Sequence, residues 1–152
     1  MDVDATVRLR GVVNRLARQF NASATHEGLT PTQASVLGLI AFREPMTLTD
    51  VATLEGLNPT MVSRVIGRLD ELGLIERQPS ASDLRVTFVS LTQEGHATHT
   101  RVKEQKAQVI ADGLDRLDET DQASITAALP ALEALSGALR PTSRTKRADD
   151  SR

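Results

Sequence analysis

Two helix-start signals fall in quick succession in PMTLTDVATLEGLNPTMVSRVIGRLDELG, residues 45–73, and they constrain this chain more than any other feature. Thr47 suits the cap of a short helix over about residues 48–55, with Asp50 in its first turn, where an acid complements the helix dipole. Gly56 and Leu57 make a turn. Asn58 then caps a second helix, and Pro59 suits its first position. Helix, tight turn containing glycine, helix is the helix-turn-helix pattern.

The second helix, about residues 59–72, has two distinct sides. Val62, Val65, Ile66, Leu69 and Leu72 form an apolar stripe, expected to be buried. Thr60, Ser63, Arg64, Gly67 and Arg68 occupy the other side. A recognition helix meets base edges with its N-terminal residues and needs small side chains there to sink into the major groove. Asn58, Pro59, Thr60, Ser63, Arg64 and Arg68 are therefore the candidate DNA contacts of this helix. Gly67 is open to two readings: it lets the helix approach a phosphate closely, or it is a tolerated cost of about 1 kcal/mol relative to alanine.

Gly73 stops that helix. LIERQ reads as a strand, PSASDLR as a loop and VTFVSL as a second strand, so a hairpin follows the helix-turn-helix at once. That arrangement is a winged helix. Upstream, LTPTQASVLGLIAF opens with Thr30 as cap, Pro31 at the first position and Gln33 completing a capping box. Val36, Leu37, Ile40 and Ala41 form its core stripe.

Long helices flank this lobe. Leu9, Val12, Val13, Leu16 and Phe20 recur at helical spacing over about residues 3–27. Arg8, Arg15 and Arg18 lie off that stripe and read as a solvated face. After the wing, Thr92 caps a helix over about 93–116, with Gly95 in its first turn and Val102, Val109, Ile110, Leu114 and Leu117 on one face. Asp118 caps a last helix with Ile125, Ala128, Leu132, Leu135 and Leu139 on its apolar side, which Pro130 should bend or interrupt. The expected fold is mainly α with a small β-hairpin wing. It is one domain over residues 1–139, with the winged helix at about 30–92 between helices at 1–28 and 93–139. The tail, RPTSRTKRADDSR, carries five basic residues against two acidic ones and is expected to be disordered. It either adds nonspecific DNA affinity or is simply solvated.

Composition closes off several alternatives. Aromatics make up only 2% of a chain that is 39% hydrophobic, so the interior is aliphatic, as packed helices allow. The net charge of −2 does not by itself advertise a nucleic-acid ligand, so clustering has to carry that signal. There is no cysteine, which excludes thiol nucleophiles, disulfides and thiolate metal sites. The first residues lack the apolar core of a secretory signal, and no stretch is long and apolar enough for a membrane span, so a cytoplasmic protein is expected. No G-x-S-x-G, phosphate-cradling glycine loop or H-E-x-x-H is present, so an enzyme is not expected. His96 and His99 are three residues apart on one helix but lack an acid or thiol cluster beside them; neither a metal nor a cofactor is expected.

The order long helix, helix, helix-turn-helix, wing, long helix, helix resembles the MarR family of bacterial transcription regulators. The residues that carry the resemblance are LTPTQASVL, NPTMVSRVIGRLDELGLIER and DLRVTFVSLTQEG, with the spacing D-x-R-x5-L-T-x-E-G the most discriminating. It spans about residues 5–139. The resemblance implies a homodimer whose terminal helices interdigitate with those of the partner. Leu9, Val12, Leu16, Leu132, Leu135 and Leu139 are the expected interface positions. It also implies a double-stranded, pseudo-palindromic DNA site, repression as the commoner outcome, and release by a small lipophilic or aromatic ligand. Phe20, His26, Ile40 and Phe42 are the positions it would place near such a ligand, against the simpler reading that they are ordinary core residues.

Within that frame Arg85 is expected to enter a minor groove, aimed by Asp83 through a charge-assisted hydrogen bond. Outside it, the two are a surface ion pair that contributes little. Two departures from the common family pattern stand out: Gly67 and Leu84 lie where a charged and a second basic residue are frequent. The rival class is a winged helix used for protein contacts, which would place apolar residues on the outward face of the second helix.

Overall fold

Side-chain caps set where four of the helices begin. In the computed structural model, which describes residues 2–23 and 27–139, Thr30 Oγ1 accepts from the Gln33 N–H at 3.3 Å, and Gln33 Oε1 accepts from the Thr30 N–H at 2.9 Å. Thr47 and Asp50 repeat the reciprocal pair at 3.1 and 3.2 Å. Asn58 and Asp118 each accept the N–H three residues on, at 2.8 Å. Each cap is worth about 1 kcal/mol.

In chain order the elements are α1 (Val3–Ser23), α2 (Pro31–Arg43), β1 (Met46–Thr47), α3 (Leu48–Glu55), α4 (Pro59–Glu71), β2 (Ile75–Pro79), β3 (Thr87–Leu91), α5 (Gln93–Leu114) and α6 (Glu119–Ala138). Gly56, at φ 64°, ends α3 in the left-handed region that favours glycine and turns the chain into α4. The expected hairpin forms with Ile75 opposite Leu91 and Pro79 opposite Thr87. A third strand joins the hairpin: β1 pairs with β3, Met46 opposite Val89, giving the order β1-β3-β2. Two residues are too few to show a strand period, so only the tertiary fold reveals them.

The chain divides into two units, Met1–Ala111 and Asp112–Arg152. The first holds an aliphatic core of Val36, Leu37, Ile40, Val51, Val62, Ile66, Leu69, Ile75, Val89 and Val102, with no aromatic member. Leu72, expected in the buried stripe of α4, is exposed, because it is the C-cap where the chain leaves the helix. In the second unit α6 has no buried residue, so its expected apolar side is uncovered. α6 continues through Pro130, which cannot donate to the Thr126 carbonyl.

The start of α5 is tied to the lobe by polar contacts. Thr92 Oγ1 donates to the Gly73 carbonyl at 2.6 Å and accepts the Gly95 N–H at 3.0 Å. Glu44, just after α2, accepts the Leu91 N–H at 2.6 Å and lies 2.9 Å from His96 Nε2. Arg101 bridges Glu27 at 3.0 Å and Glu94 at 2.9 Å, which holds the Glu94 carboxyl below its usual range.

His99 packs near α2: a Cβ on Gly38 would lie 3.4 Å from its ring. Partial burial lowers its pKa below 6.5, helped by Lys103, His96 and Lys106. A depressed folded pKa means that the unfolded chain takes up the proton first. This contribution to stability is therefore complete above 6.5 and lost as pH falls below that value. Thermal unfolding at about pH 8 and about pH 5.5 should show a smaller acid-induced drop in Tm for His99→Gln than for the parent. An equal drop in both would remove His99 from the acid response.

Candidate nucleic-acid interface

The outward side of α4 follows from its core side. With Val62, Val65, Ile66 and Leu69 buried, helical geometry leaves Thr60, Ser63, Arg64 and Arg68 exposed. Asn58 and Pro59 are also exposed at the N-terminus of the helix. Asn58 uses its side-chain oxygen to accept the Met61 N–H, which leaves its amide NH2 free to donate outward. Arg68 pairs with Glu71 at 3.0 Å, leaving Arg64 as the less encumbered cation of the two.

The wing tip is held by the acid-base pair within SASDLR. Arg85 donates to Asp83 from Nε at 3.1 Å and from Nη2 at 3.3 Å, and its backbone N–H donates to the same carboxylate at 3.0 Å. Those bonds, the side-chain one first, hold the Asp83 carboxyl below its usual range. The loop closes where Ser80 N–H donates to the Val86 carbonyl at 2.8 Å and Val86 N–H to the Asp83 carbonyl at 2.9 Å. The Arg85 side chain is nevertheless 91% exposed. A guanidinium fixed in direction by a fork yet open to solvent is pre-ordered for an anionic partner. Leu84 beside it is exposed as well.

A further cation lies beside α4, and the sequence pattern alone does not mark it. Arg77, in β2, has its Nε 2.8 Å from Asp70 Oδ2 of α4. LIERQ signals a strand, but a strand pattern does not say which helix its exposed arginine reaches.

The other sequence-derived sites are distributed as follows. On α1, Leu9 is half-buried, and Val12 and Leu16 are exposed. On α6 and at its end, Leu132, Leu135 and Leu139 are exposed. Ile40 is fully buried in the core, Phe42 is 81% exposed and Phe20 is half-buried. His26 and the basic tail lie outside the described residues. The two histidines of α5 have separate surroundings, His96 at Glu44 and His99 near Gly38.

A helix-turn-helix carrying a three-stranded wing, with a polar, arginine-bearing outer helix face, defines a winged helix-turn-helix protein. The MarR family model matches residues 29–87. The HTH-type transcriptional regulator ML2140 of Mycobacterium leprae, itself uncharacterized, is 33% identical over 97 residues, 62% of this chain and 68% of that one. The HTH-type transcriptional repressor MdtR of Bacillus subtilis is 27% identical over 129 residues, 83% of each chain. FabT of Streptococcus pneumoniae, solved in complex with DNA, superposes with a TM-score of 0.65 at 18% identity, covering 90% of this chain and 98% of that one. The chain belongs to the MarR family of DNA-binding transcription regulators. No helix among the described residues is long and apolar enough to cross a membrane.

Proposed function

We propose that the chain is a cytoplasmic, homodimeric repressor in which α4 and the wing of each protomer read one half of a pseudo-palindromic operator. The observation that carries this is the forked Asp83–Arg85 pair at the wing, presented together with the small, polar N-terminal face of α4. Asn58, Pro59, Thr60, Ser63, Arg64 and Arg68 meet the major groove, and Arg85 the adjacent minor groove. The uncovered apolar residues of α1 and α6 support a dimer. Val3, Val7, Val12, Val13 and Leu16 are exposed on one helix, and Ile125, Leu129, Leu132 and Leu135 on the other. Exposed leucine and valine stripes of that extent are unusual unless another surface covers them. A protein-contact role for α4 is disfavoured by the polarity of its outer face.

Repression is supported by the relative MdtR, which is a transcriptional repressor. Release by a small lipophilic or aromatic ligand rests on the family resemblance; of the residues it would place near the ligand, Phe42 is exposed and Phe20 half-buried. Such a ligand acts by preferring a dimer geometry whose half-site spacing does not match DNA.

Selection from a random duplex pool tests this reading. It should enrich a two-fold-symmetric site with half-site centres about one helical turn, roughly 34 Å, apart. Binding should weaken with salt at a slope of about −0.9 for each phosphate neutralised. A small aromatic carboxylic acid added to that complex should lower the bound fraction. Enrichment of no sequence would overturn operator binding; an unchanged bound fraction would overturn release by that class of ligand.

A further inference from the structure

Gly67 lies at the centre of the outward face of α4, three residues after Arg64 and next to Arg68. A Cβ built there would have one near neighbour among the described residues, Arg77 Nη2 at 3.9 Å. No neighbour in the lobe therefore crowds this position, and packing does not require glycine. The missing side chain leaves a gap on the helix, and the guanidinium of Arg77 stands beside it.

Arg77 comes from β2, where it pairs with Val89 in the sheet and its side chain turns outward. Asp70, three residues beyond Gly67 on the wing side of α4, holds its Nε at 2.8 Å. We propose that Arg77 is a DNA-backbone contact, delivered across the gap at Gly67 and aimed by Asp70. Position 67 would otherwise present its own side chain to the duplex; here β2 supplies the cation. The contact is to phosphate rather than to a base edge, because Gly67 is in the second half of α4 and the N-terminal residues are the ones that enter the groove. Arginine carries five N–H donors, and the bond at Nε leaves its terminal amines to meet phosphate oxygens in a fixed plane. Asp70 is a positioning residue: it reduces the local positive charge but fixes where the guanidinium stands.

This inference rests on the DNA-binding reading of α4 and the wing, and its test separates the two. Full-length parent, Arg77→Gln, Arg77→Lys and Asp70→Asn would be titrated against the selected operator and an unrelated duplex at several salt concentrations. Arg77→Gln should weaken binding to both duplexes by a similar factor, about fivefold to tenfold. It should also flatten the salt slope by about 0.9 for each Arg77 at a phosphate, about 1.8 for a two-fold dimer. Arg77→Lys and Asp70→Asn keep the cation and should keep the parental slope. A purely structural ion pair predicts instead that Arg77→Gln and Asp70→Asn behave alike, with the slope unchanged in both; that result overturns the proposal. If Arg77→Gln fails to fold, Arg77→Met takes its place: a slope flattened by the same amount supports the proposal, and a parental slope overturns it equally. A parental slope in Arg77→Gln, beside weakened binding by Arg85→Ala, would remove Arg77 and leave the DNA-binding reading intact. A parent that binds no duplex would overturn both.

Discussion

Replacing Gly95 by alanine should lower the unfolding free energy by about 3 kcal/mol, the upper end of what overpacking costs. Gly95 is buried in the first turn of α5, and a Cβ there would overlap the Leu74 carbonyl oxygen. A backbone oxygen at the start of the wing cannot swing aside as a flexible side chain would. It also accepts the Thr92 N–H at 3.1 Å, and Leu91 Cβ closes the other side at 3.3 Å. Relief therefore requires α5 and the β2 end of the wing to part, loosening the bonds that Thr92 makes to Gly73 and Gly95. Gly113, in the same helix, is the internal control. Nothing lies within 4 Å of its Cβ position, so Gly113→Ala should be neutral or stabilising by up to about 1 kcal/mol. Denaturant unfolding of both variants at one fixed protein concentration measures the contrast. Equal stability of Gly95→Ala and the parent would show that α5 does not approach Leu74 this closely.

Arg85→Ala should weaken operator binding by about 10- to 100-fold while leaving the unfolding transition close to that of the parent. The side chain is almost entirely exposed and its partners are confined to its own loop, so little of the fold depends on it. Its removal takes away a cation already fixed in direction, and the loss should be largest on duplexes whose minor groove is narrow beside the half-site. Asp83→Asn keeps the cation but weakens the fork, so it should cost less than Arg85→Ala and act mainly by letting the arginine wander. Anisotropy titrations of both variants on the selected operator, beside their melting curves, decide the matter. Undiminished affinity in Arg85→Ala would take the wing out of DNA recognition.

Much of the fold is legible because it is written in local rules. Thr30, Thr47, Asn58 and Asp118 start helices wherever they meet the right neighbours, and the caps form as expected. Gly56 ends α3 for a reason contained in its own backbone. The outer face of α4 is visible because 3.6-residue periodicity sorts Val62, Val65, Ile66 and Leu69 from Thr60, Ser63 and Arg64. The Asp83–Arg85 fork is equally local, two residues apart in one loop.

What escaped the sequence depends on distance along the chain. β1 is a strand only because β3 lies beside it. Leu72 looks like the last member of a stripe until the cap turns it outward. Gly95 reads as an ordinary glycine near a helix start until Leu74, brought over it by the wing, forbids anything larger. Arg77 and Gly67 come together only when β2 folds back along α4. The sequence by itself determined the helices, their caps, the helix-turn-helix and the acid-base pair of the wing, because each depends on residues within a turn or two of one another. The tertiary structure alone decided which backbone Gly95 must admit and which helix Arg77 reaches, because excluded volume and ion pairing act between atoms near in space, whatever their separation in the chain.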